Sequence, residues 1–297
     1  MQKDSDIDKI NTVSPLKNQV ATIVGIGLMG GSMALALKRT GIATHIIGVD
    51  NNPGHCQQAL HLGIVHQILP LNDAVAKSGL VVLAVPVNAL NIILPGILNT
   101  VTTQIVMDMG STKNEVIGVV DKHPKRGRFV PTHPMWGTEF SGPTAALNDA
   151  FAGKAVVICN AQQCDDDALS AVESIYKTIG MYLVYMNATE HDVHAAYVSH
   201  ISHITSFALA NTVLEKERED KAIFELASGG FESTVRLAKS NAAMWVPIFK
   251  QNRENVLDAL NEHISQLRKF KSCLEKENYT YLQELIEKAN EIKRILK

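Results

Sequence analysis

The segment VATIVGIGLMG, residues 20–30, decides the fold of this 297-residue chain. Its first half is an apolar run rich in Val and Ile, which predicts a buried β-strand, and its second half is a glycine-rich turn that opens a helix. In a dinucleotide-binding fold, Gly25 would permit the tight turn, Gly27 would let the backbone approach a pyrophosphate, and Gly30 would let helix and strand pack closely. The order of strand, glycine turn and helix therefore predicts a dinucleotide site at the start of this helix.

An acidic residue ends the next predicted strand. Asp50 follows Gly30 by 20 residues, where a carboxylate can accept hydrogen bonds from the hydroxyls of an adenosine ribose. Its charge would repel a ribose phosphate, and no Arg or Lys stands nearby to neutralise one. We therefore predict NAD rather than NADP as the cofactor. The predicted cofactor-binding residues are Gly25, Gly27, Leu28, Met29, Gly30, Asp50 and Pro86.

Outward from this segment, short apolar runs alternate with helical stretches as far as about Asn187. The predicted strands are 20–26, 45–49, 80–85, 104–108, 155–159 and 181–185. The predicted helices are 28–39, 56–62 and 168–179, each of which ends near a glycine. This alternation predicts an α/β domain over residues 19–187 with a Rossmann-like, doubly wound and mostly parallel sheet.

The strand pattern disappears after Asn187. Thr189, with Asp192 three residues later, predicts a capping box at the start of a long helix that reaches about Arg218. The rest of the chain is mostly helical, so we predict an all-α domain over residues 188–297. At the other end of the chain, residues 1–18 are predicted to form a polar arm that precedes the α/β domain. The apolar stripe of the last predicted helices is suited to packing within this domain or to a subunit interface.

The composition excludes several classes of function. With 28 Lys and Arg against 30 Asp and Glu, the chain lacks the positive charge of a nucleic-acid-binding surface, so we expect no nucleic acid partner. The long uncharged stretches 20–37 and 78–107 are interrupted by Gly, Pro or Asn and do not predict a membrane-spanning helix. The four cysteines have no paired C-x-x-C spacing, which favours a reducing, cytoplasmic location over a disulfide or zinc framework.

Two side chains of the α/β domain follow apolar stretches, the predicted strand 104–108 and the apolar segment 128–130, and are expected at the sheet edge where ligands bind in open α/β folds. Ser111 would hydrogen-bond a substrate oxygen, or alternatively cap the helix that begins near Lys113. His133 is a candidate general base, because the unperturbed pKa of a histidine, ~6.5, suits that role. A structural role for an imidazole placed before Pro134 is the alternative interpretation.

Four histidines lie on the long predicted helix. At about 100° per residue, His191 and His194 would share one face and His200 and His203 a roughly opposite one. The four therefore do not converge on one metal in a straight helix, and the Glu of an H-E-x-x-H site is missing. We predict no metal site, and we expect His200 and His203 to face the cleft between the domains.

An arginine follows a glycine turn in the helical domain. Arg236 stands shortly after Gly229 and Gly230, and its guanidinium would clamp a substrate carboxylate through two parallel hydrogen bonds. A surface ion pair with a neighbour such as Glu232 is the alternative.

Taken together, these residues resemble the prephenate dehydrogenases of tyrosine biosynthesis and the closely related arogenate dehydrogenases. The resemblance extends from Val20 to about Leu260. It rests on GIGLMGGS at 25–32, DMGSTK at 108–113, HPMWGTE at 133–139, SHISH at 199–203 and the run 229–245. Trp136 is bulkier than the Ala of some members, and Ser233 stands where some carry Asp, so the shape and gating of the pocket are the features that this resemblance leaves open.

The resemblance implies a role for individual residues. His133 matches the catalytic histidine that interacts with the ring hydroxyl, and Ser111 matches the serine that orients it. Arg236 matches the arginine that holds a substrate carboxylate, and His203 a histidine at the substrate side chain. Glu139 and Trp245 match residues associated with the substrate pocket and its closure. The other predicted substrate-binding residues are Thr138 and His200.

The activity implied is the NAD-dependent oxidative decarboxylation of prephenate to 4-hydroxyphenylpyruvate by a homodimer that forms through the helical domain. An arogenate dehydrogenase is the nearest alternative. A β-hydroxyacid dehydrogenase would need a catalytic Lys where this chain has histidines, and a non-catalytic NAD sensor would not need the imidazole, hydroxyl and guanidinium. The assignment requires His133 of the first domain and Arg236 of the second to meet across a crevice beside the nicotinamide.

Overall fold

The computed structural model describes residues 19–219 and 223–295; the predicted polar arm at 1–18 lies outside them. The chain divides into two compact units. The first comprises the described part of Met1–His191 together with Lys239–Ile248, and the second comprises Asp192–Ala238 and Phe249–Lys297, again where described. Each unit has its own core and is described by itself below.

A six-stranded parallel sheet forms the centre of the first unit. Its strands are β1 (Gln19–Val24), β2 (Ala43–Val49), β3 (Gln67–Ile68), β4 (Leu80–Leu83), β5 (Ile105–Asp108) and β6 (Phe129–Val130), in the order β3-β2-β1-β4-β5-β6. The helices that accompany it are α1 (Leu28–Arg39), α2 (Pro53–His61), α3 (Leu71–Lys77), α4 (Val87–Thr100), α5 (Asn114–Gly118) and α6 (Asp166–Thr178). The prediction of a Rossmann-like parallel sheet followed by a helical domain is confirmed.

Alternate residues of the central strands point into two separate hydrophobic clusters. In β4, Leu80 and Val82 join one cluster, whereas Val81 and Leu83 join the other. Because successive side chains of a strand point to opposite faces, the sheet is covered on both sides. This explains why the central strands read as continuous apolar runs rather than as alternating ones.

A second sheet departs from the prediction of a single one. It consists of β7 (Thr132–Pro134), β8 (Ala155–Cys159) and β9 (Tyr182–Met186), with β7 antiparallel and β9 parallel to β8. The sequence predicts β8 and β9 but not the short strands β3, β6 and β7, which have two, two and three residues. Strands of this length carry too few residues for an apolar pattern to show.

The remainder of the described chain is helical. Its elements are α7 (Ala188–Ala195), a π-helical segment (Ala196–His200), α8 (Ile201–Glu219), α9 (Gly229–Val235), α10 (Ala242–Gln251), α11 (Arg253–Glu275) and α12 (Tyr279–Ala289). In the second unit, α11 packs against the π segment, α8 and α12. Ala196, Val256 and Ala259 are buried between these elements. Among the helices that the structure describes, none combines the length and the apolar character that crossing a bilayer requires.

The capping box at the start of α7 involves other residues than predicted. The Asn187 side chain accepts a hydrogen bond from the Glu190 amide at 2.9 Å, and the Glu190 carboxylate accepts one from the Asn187 amide at 3.2 Å. Thr189 instead donates its hydroxyl to Asn114. The reciprocal pattern is the expected one, but it begins two residues earlier.

Candidate functional site

The glycine turn between β1 and α1 has the geometry of a phosphate cradle. Gly25 has φ +91°, and a Cβ there would lie 2.5 Å from the Ala84 carbonyl oxygen. A Cβ at Gly30 would lie 1.9 Å from the Gly25 oxygen, so only glycine lets helix and strand approach this closely. A Cβ at Gly27 would meet open space. Gly27 is the N-cap of α1 and contributes no side-chain cap, so the first amides of the helix face a position suited to an anion.

The Asp50 carboxylate binds the glycine turn directly. Its Oδ2 accepts a hydrogen bond from the Ile26 amide at 2.8 Å, and its Oδ1 accepts one from the Asn52 amide at 2.8 Å. The His55 ring nitrogen lies 3.5 Å from the same carboxylate. Asp50 is therefore placed beside the phosphate cradle, where the sequence predicts it. The other predicted cofactor residues are Leu28 and Met29 in the first turn of α1 and Pro86, the exposed N-cap of α4.

Ser111 lies in the loop that follows β5. This loop is held by the Asp108 carboxylate, which accepts hydrogen bonds from the Gly110 amide at 2.8 Å and from the Lys113 ammonium. Both Asp108 and Lys113 are fully buried. Ser111 is half-buried and lies between two residues that the Asp108 carboxylate binds.

His133 lies in β7 and is paired with another imidazole. Its Nδ1 is 2.8 Å from Nε2 of His191, and the ring centroids are 5.0 Å apart at an interplanar angle of 67°. His133 is 9% exposed and His191 is 2% exposed. When His133 donates through Nδ1, its Nε2 carries the lone pair that a general base requires. The sequence does not predict this role for His191.

The loop after β7 lines a cavity of about 630 Å³. Thr138 and Glu139 are among its lining residues, together with Phe140, Ser141, Thr144, Ala145 and Leu147. The loop is anchored by the Leu147 amide, which donates to the Ser32 hydroxyl of α1 at 3.0 Å. Thr138 and Glu139, both predicted from the resemblance, are thus brought together on a loop that packs on the glycine-turn helix.

A π turn interrupts the helix that carries the histidines. The Ile201 amide donates to the Ala196 carbonyl, a spacing of five residues, so the faces expected for a straight α-helix do not apply beyond Ala196. The widened turn is held by Asn252, whose amide donates to the Asp192 carbonyl at 2.7 Å and to Nδ1 of His200 at 3.1 Å. His200 is 1% exposed and therefore forms part of the packing around this turn.

His203 and Arg236 interact within the second unit. Nδ1 of His203 donates to the Ser199 carbonyl at 3.0 Å. Burial, reinforced by repulsion from the Arg236 guanidinium, lowers the pKa of His203. The imidazole is therefore neutral at pH 7, and its Nε2 is a hydrogen-bond acceptor. Arg236, to which the resemblance assigns a substrate carboxylate, is thus near enough to His203, to which it assigns the substrate side chain, to affect its pKa.

The remaining predicted residue, Trp245, lies in α10 and is 6% exposed. It belongs to the first unit, together with the glycine turn, Ser111 and His133. His200, His203 and Arg236 belong to the second.

Two residues of the first unit were missed by the sequence analysis as parts of the site. His191 was considered only as one of four helical histidines, and its exposed neighbour His194 gave no reason to separate them. Asp108 is the first residue of the DMGSTK segment, where the prediction concerns Ser111. A carboxylate at the end of a buried strand, followed by a Gly and a Lys, was a usable signal for Asp108, because an isolated buried charge requires a partner.

The fold and the glycine turn define a dinucleotide-binding α/β protein with a helical second part. Comparison with known families makes this assignment specific. The nucleotide-binding domain of prephenate dehydrogenase matches residues 33–185, and the dimerization domain of prephenate dehydrogenase matches residues 187–288. The chain belongs to the prephenate dehydrogenase family, and the expected NAD-binding type of domain is confirmed.

Individual relatives agree with this assignment. The chain is 30% identical to a prephenate dehydrogenase of Bacillus subtilis over 86% of its own length and 70% of that protein. It is 27% identical to a cyclohexadienyl dehydrogenase of Zymomonas mobilis over 93% of its length and 95% of that protein. The crystal structure of Aquifex aeolicus prephenate dehydrogenase with hydroxyphenyl propionate and NAD+ is similar with a TM-score of 0.85 and 31% identity, covering 95% of this chain and 99% of that one.

Proposed function

We propose that this chain is a prephenate dehydrogenase that catalyses the NAD-dependent oxidative decarboxylation of prephenate to 4-hydroxyphenylpyruvate. The observation that carries the proposal is the His133 imidazole, fixed through Nδ1 by His191 at 2.8 Å. When His133 donates through Nδ1 in this contact, its Nε2 carries the lone pair that accepts the proton of a ring hydroxyl. Ser111 orients the same hydroxyl, which brings the alcohol into line for oxidation.

The cofactor supplies a hydride acceptor when it is bound. The chain contributes the uncapped first turn of α1 for the pyrophosphate and Asp50 for the adenosine ribose. The Asp50 carboxylate already accepts hydrogen bonds from the Ile26 and Asn52 amides, so its negative charge is held in place next to the ribose position. A ribose phosphate would be repelled there, which favours NAD over NADP.

Arg236 is assigned to a carboxylate of the substrate. Its guanidinium orients this carboxylate by paired hydrogen bonds. Loss of carbon dioxide from the oxidised ring then restores aromaticity and leaves a phenolate, which takes up the proton that His133 accepted from the hydroxyl and so gives the phenol of the product. Since full neutralisation of the departing carboxylate would oppose its loss, Arg236 acts by orientation.

Arogenate is a second candidate substrate, and a specific observation favours it. His203 has its Nδ1 proton bound to Ser199 and a lowered pKa, so its Nε2 is an acceptor. An acceptor matches the ammonium of the arogenate side chain, whereas the prephenate side chain offers only a ketone and a carboxylate, which are themselves acceptors.

One assay distinguishes these candidates. The purified chain is incubated with NAD and either prephenate or arogenate, reduced nicotinamide is followed by absorbance, and the product is identified as 4-hydroxyphenylpyruvate or tyrosine by chromatography. We expect turnover with prephenate. Turnover with arogenate alone would replace the proposed substrate, and reduction with neither substrate would favour an NAD sensor.

We propose further that the chain forms a homodimer through its helical domain and functions in the cytoplasm. The matching of a dimerization domain over residues 187–288 supports the dimer. So do apolar side chains that remain exposed along α11 and α12, including Leu267, Leu274, Tyr279 and Ile286. Light scattering after size exclusion would measure the mass in solution, and a monomer at micromolar concentration would contradict this assembly.

A further inference from the structure

We infer that Asp108 is a positioning residue that holds Ser111 and His133 in a fixed relation to each other. The inference rests on the proposed function, in which these two side chains act on the same hydroxyl. It concerns a residue with no assigned contact to substrate or cofactor. Its effect on the reaction would therefore be transmitted through backbone groups.

The Asp108 carboxylate has three donors, and each lies next to a residue of the proposed reaction. Oδ2 accepts from the Gly110 amide at 2.8 Å and from the Lys113 ammonium, which lie on either side of Ser111. Oδ1 accepts from the Thr132 amide at 3.0 Å, one residue before His133. One side chain thus binds the backbone at both positions.

The topology shows why such a bond is needed. Asp108 ends β5 of the six-stranded sheet, whereas Thr132 begins β7 of the three-stranded sheet. The two strands are not paired in either sheet. The Asp108 carboxylate and carbonyl therefore provide hydrogen bonds across the junction of the two sheets, in place of a strand ladder.

Burial makes this arrangement stiff. Asp108 and Lys113 are both fully buried and form an ion pair. Taking two charges out of water is costly, and this cost is offset only when the remaining lone pairs are satisfied. The two amides supply those hydrogen bonds, so a displacement of either loop would leave a buried charge incompletely bonded.

A chain of hydroxyls supports the same junction. Thr132 Oγ1 donates to the Asp108 carbonyl and lies 2.6 Å from the Tyr176 hydroxyl. Because Thr132 has a single proton, Tyr176 is the donor in this second bond. Burial raises the pKa of Tyr176, so the phenol keeps its proton at neutral pH.

A matched pair of Thr→Val variants tests the inference with little risk of unfolding. Thr132 and Thr22 are both fully buried, and the hydroxyl of each contacts a backbone carbonyl and a second hydroxyl. For Thr132 these belong to Asp108 and Tyr176, and for Thr22 they belong to Ala74 and Ser78. We expect Thr132→Val to lower kcat about 10-fold and Thr22→Val to leave it unchanged, at similar losses in Tm. Thr132→Ser, which keeps the hydroxyl, should restore kcat.

Asp108→Asn provides the larger effect. The Asn amide keeps one acceptor oxygen, but its NH2 group would face one of the N–H donors that now bind the carboxylate. We therefore expect kcat to fall about 10²-fold. The Kd for NAD, measured by fluorescence, should be unchanged. In a double-mutant cycle, Ser111→Ala should cost much less in the Asp108→Asn background than in the wild type, because Ser111 is already displaced.

The outcomes separate this inference from the proposed function. If Ser111→Ala and His133→Asn leave kcat unchanged, the proposed function fails. If those variants lower kcat but Thr132→Val has the same kcat as Thr22→Val, the positioning role is wrong. It is also wrong if Ser111→Ala lowers kcat by the same factor in the Asp108→Asn background as in the wild type. Should Asp108→Asn not fold, the Thr132 series and its Thr22 control still decide the question.

Discussion

The glycine turn is formed by residues that lie close together in the sequence, whereas the His133 site is formed by residues that lie far apart. The turn is fixed by residues 25–30 and by one carboxylate at Asp50, 24 residues from the amide that it binds. The His133 site depends on His191, 58 residues later, and on the junction of two sheets. We therefore expect changes in the turn to affect cofactor binding and stability, and changes around His133 to affect turnover.

The largest effect is expected from His133→Asn. The amide keeps a polar side chain in β7 but removes the general base, so kcat should fall by about 10²- to 10⁴-fold with little change in KM. Steady-state kinetics with prephenate or arogenate measure this, with Tm as the control for folding. An unchanged kcat would remove His133 from the chemistry and with it the proposed contrast between the two regions.

Arg236→Ala should act on binding instead. Removal of a guanidinium that binds a substrate carboxylate weakens substrate binding by about 2 to 3 kcal/mol, which raises KM by roughly 30- to 150-fold. Arg253 provides a matched control, because it lies in the same unit and is 70% exposed at its side chain. Arg236 is itself exposed, so equal KM values for Arg236→Ala and Arg253→Ala would mean that Arg236 has no role in substrate binding.

Replacement by alanine should affect stability at one glycine of the turn and cofactor binding at another. Gly30→Ala places a methyl group 1.9 Å from a backbone oxygen, so we expect a loss of stability of about 3 kcal/mol or more and a lower Tm. Gly27→Ala meets open space and should keep Tm while raising the Kd for NAD about 10-fold, because the pyrophosphate approaches there. Equal effects on Tm would contradict the assignment of these two roles.

Prediction from sequence was successful where the relevant physics is local. Helix α1 begins and ends at the predicted residues, Leu28 and Arg39, because the glycine turn and Gly41 mark its limits. The second sheet was missed because Thr132–Pro134 is stabilised by pairing with β8, which no window along the chain contains. The partnership of His133 with His191 was missed for the same reason. The π turn was missed because its hydrogen bonds to Asn252 come from another helix.

His191→Ala should produce a smaller loss than His133→Asn. Without the imidazole, His133 loses the group that fixes its tautomer, so kcat should fall about 10-fold and the pH profile of kcat/KM should change on its acidic side. His194→Ala is the matched control, since His194 is exposed on the same helix. A His191 variant with the kinetics of the His194 variant would show that the imidazole pair is only structural.

The smallest expected effect is the contribution of His203 to the pH dependence of the free energy of unfolding. Its pKa is lowered in the folded state by burial and by Arg236, so the unfolded chain takes up the proton first as pH falls below the ordinary value of about 6.5. The free energy of unfolding should therefore decrease as pH falls through this value toward the lowered pKa of the folded state, below which the loss is complete. His203→Gln keeps a polar side chain but cannot titrate, so its unfolding free energy, measured by urea denaturation, should depend less on pH between 7 and 5. Identical pH dependence in the variant and the wild type would mean that His203 is not the neutral acceptor on which the case for arogenate rests.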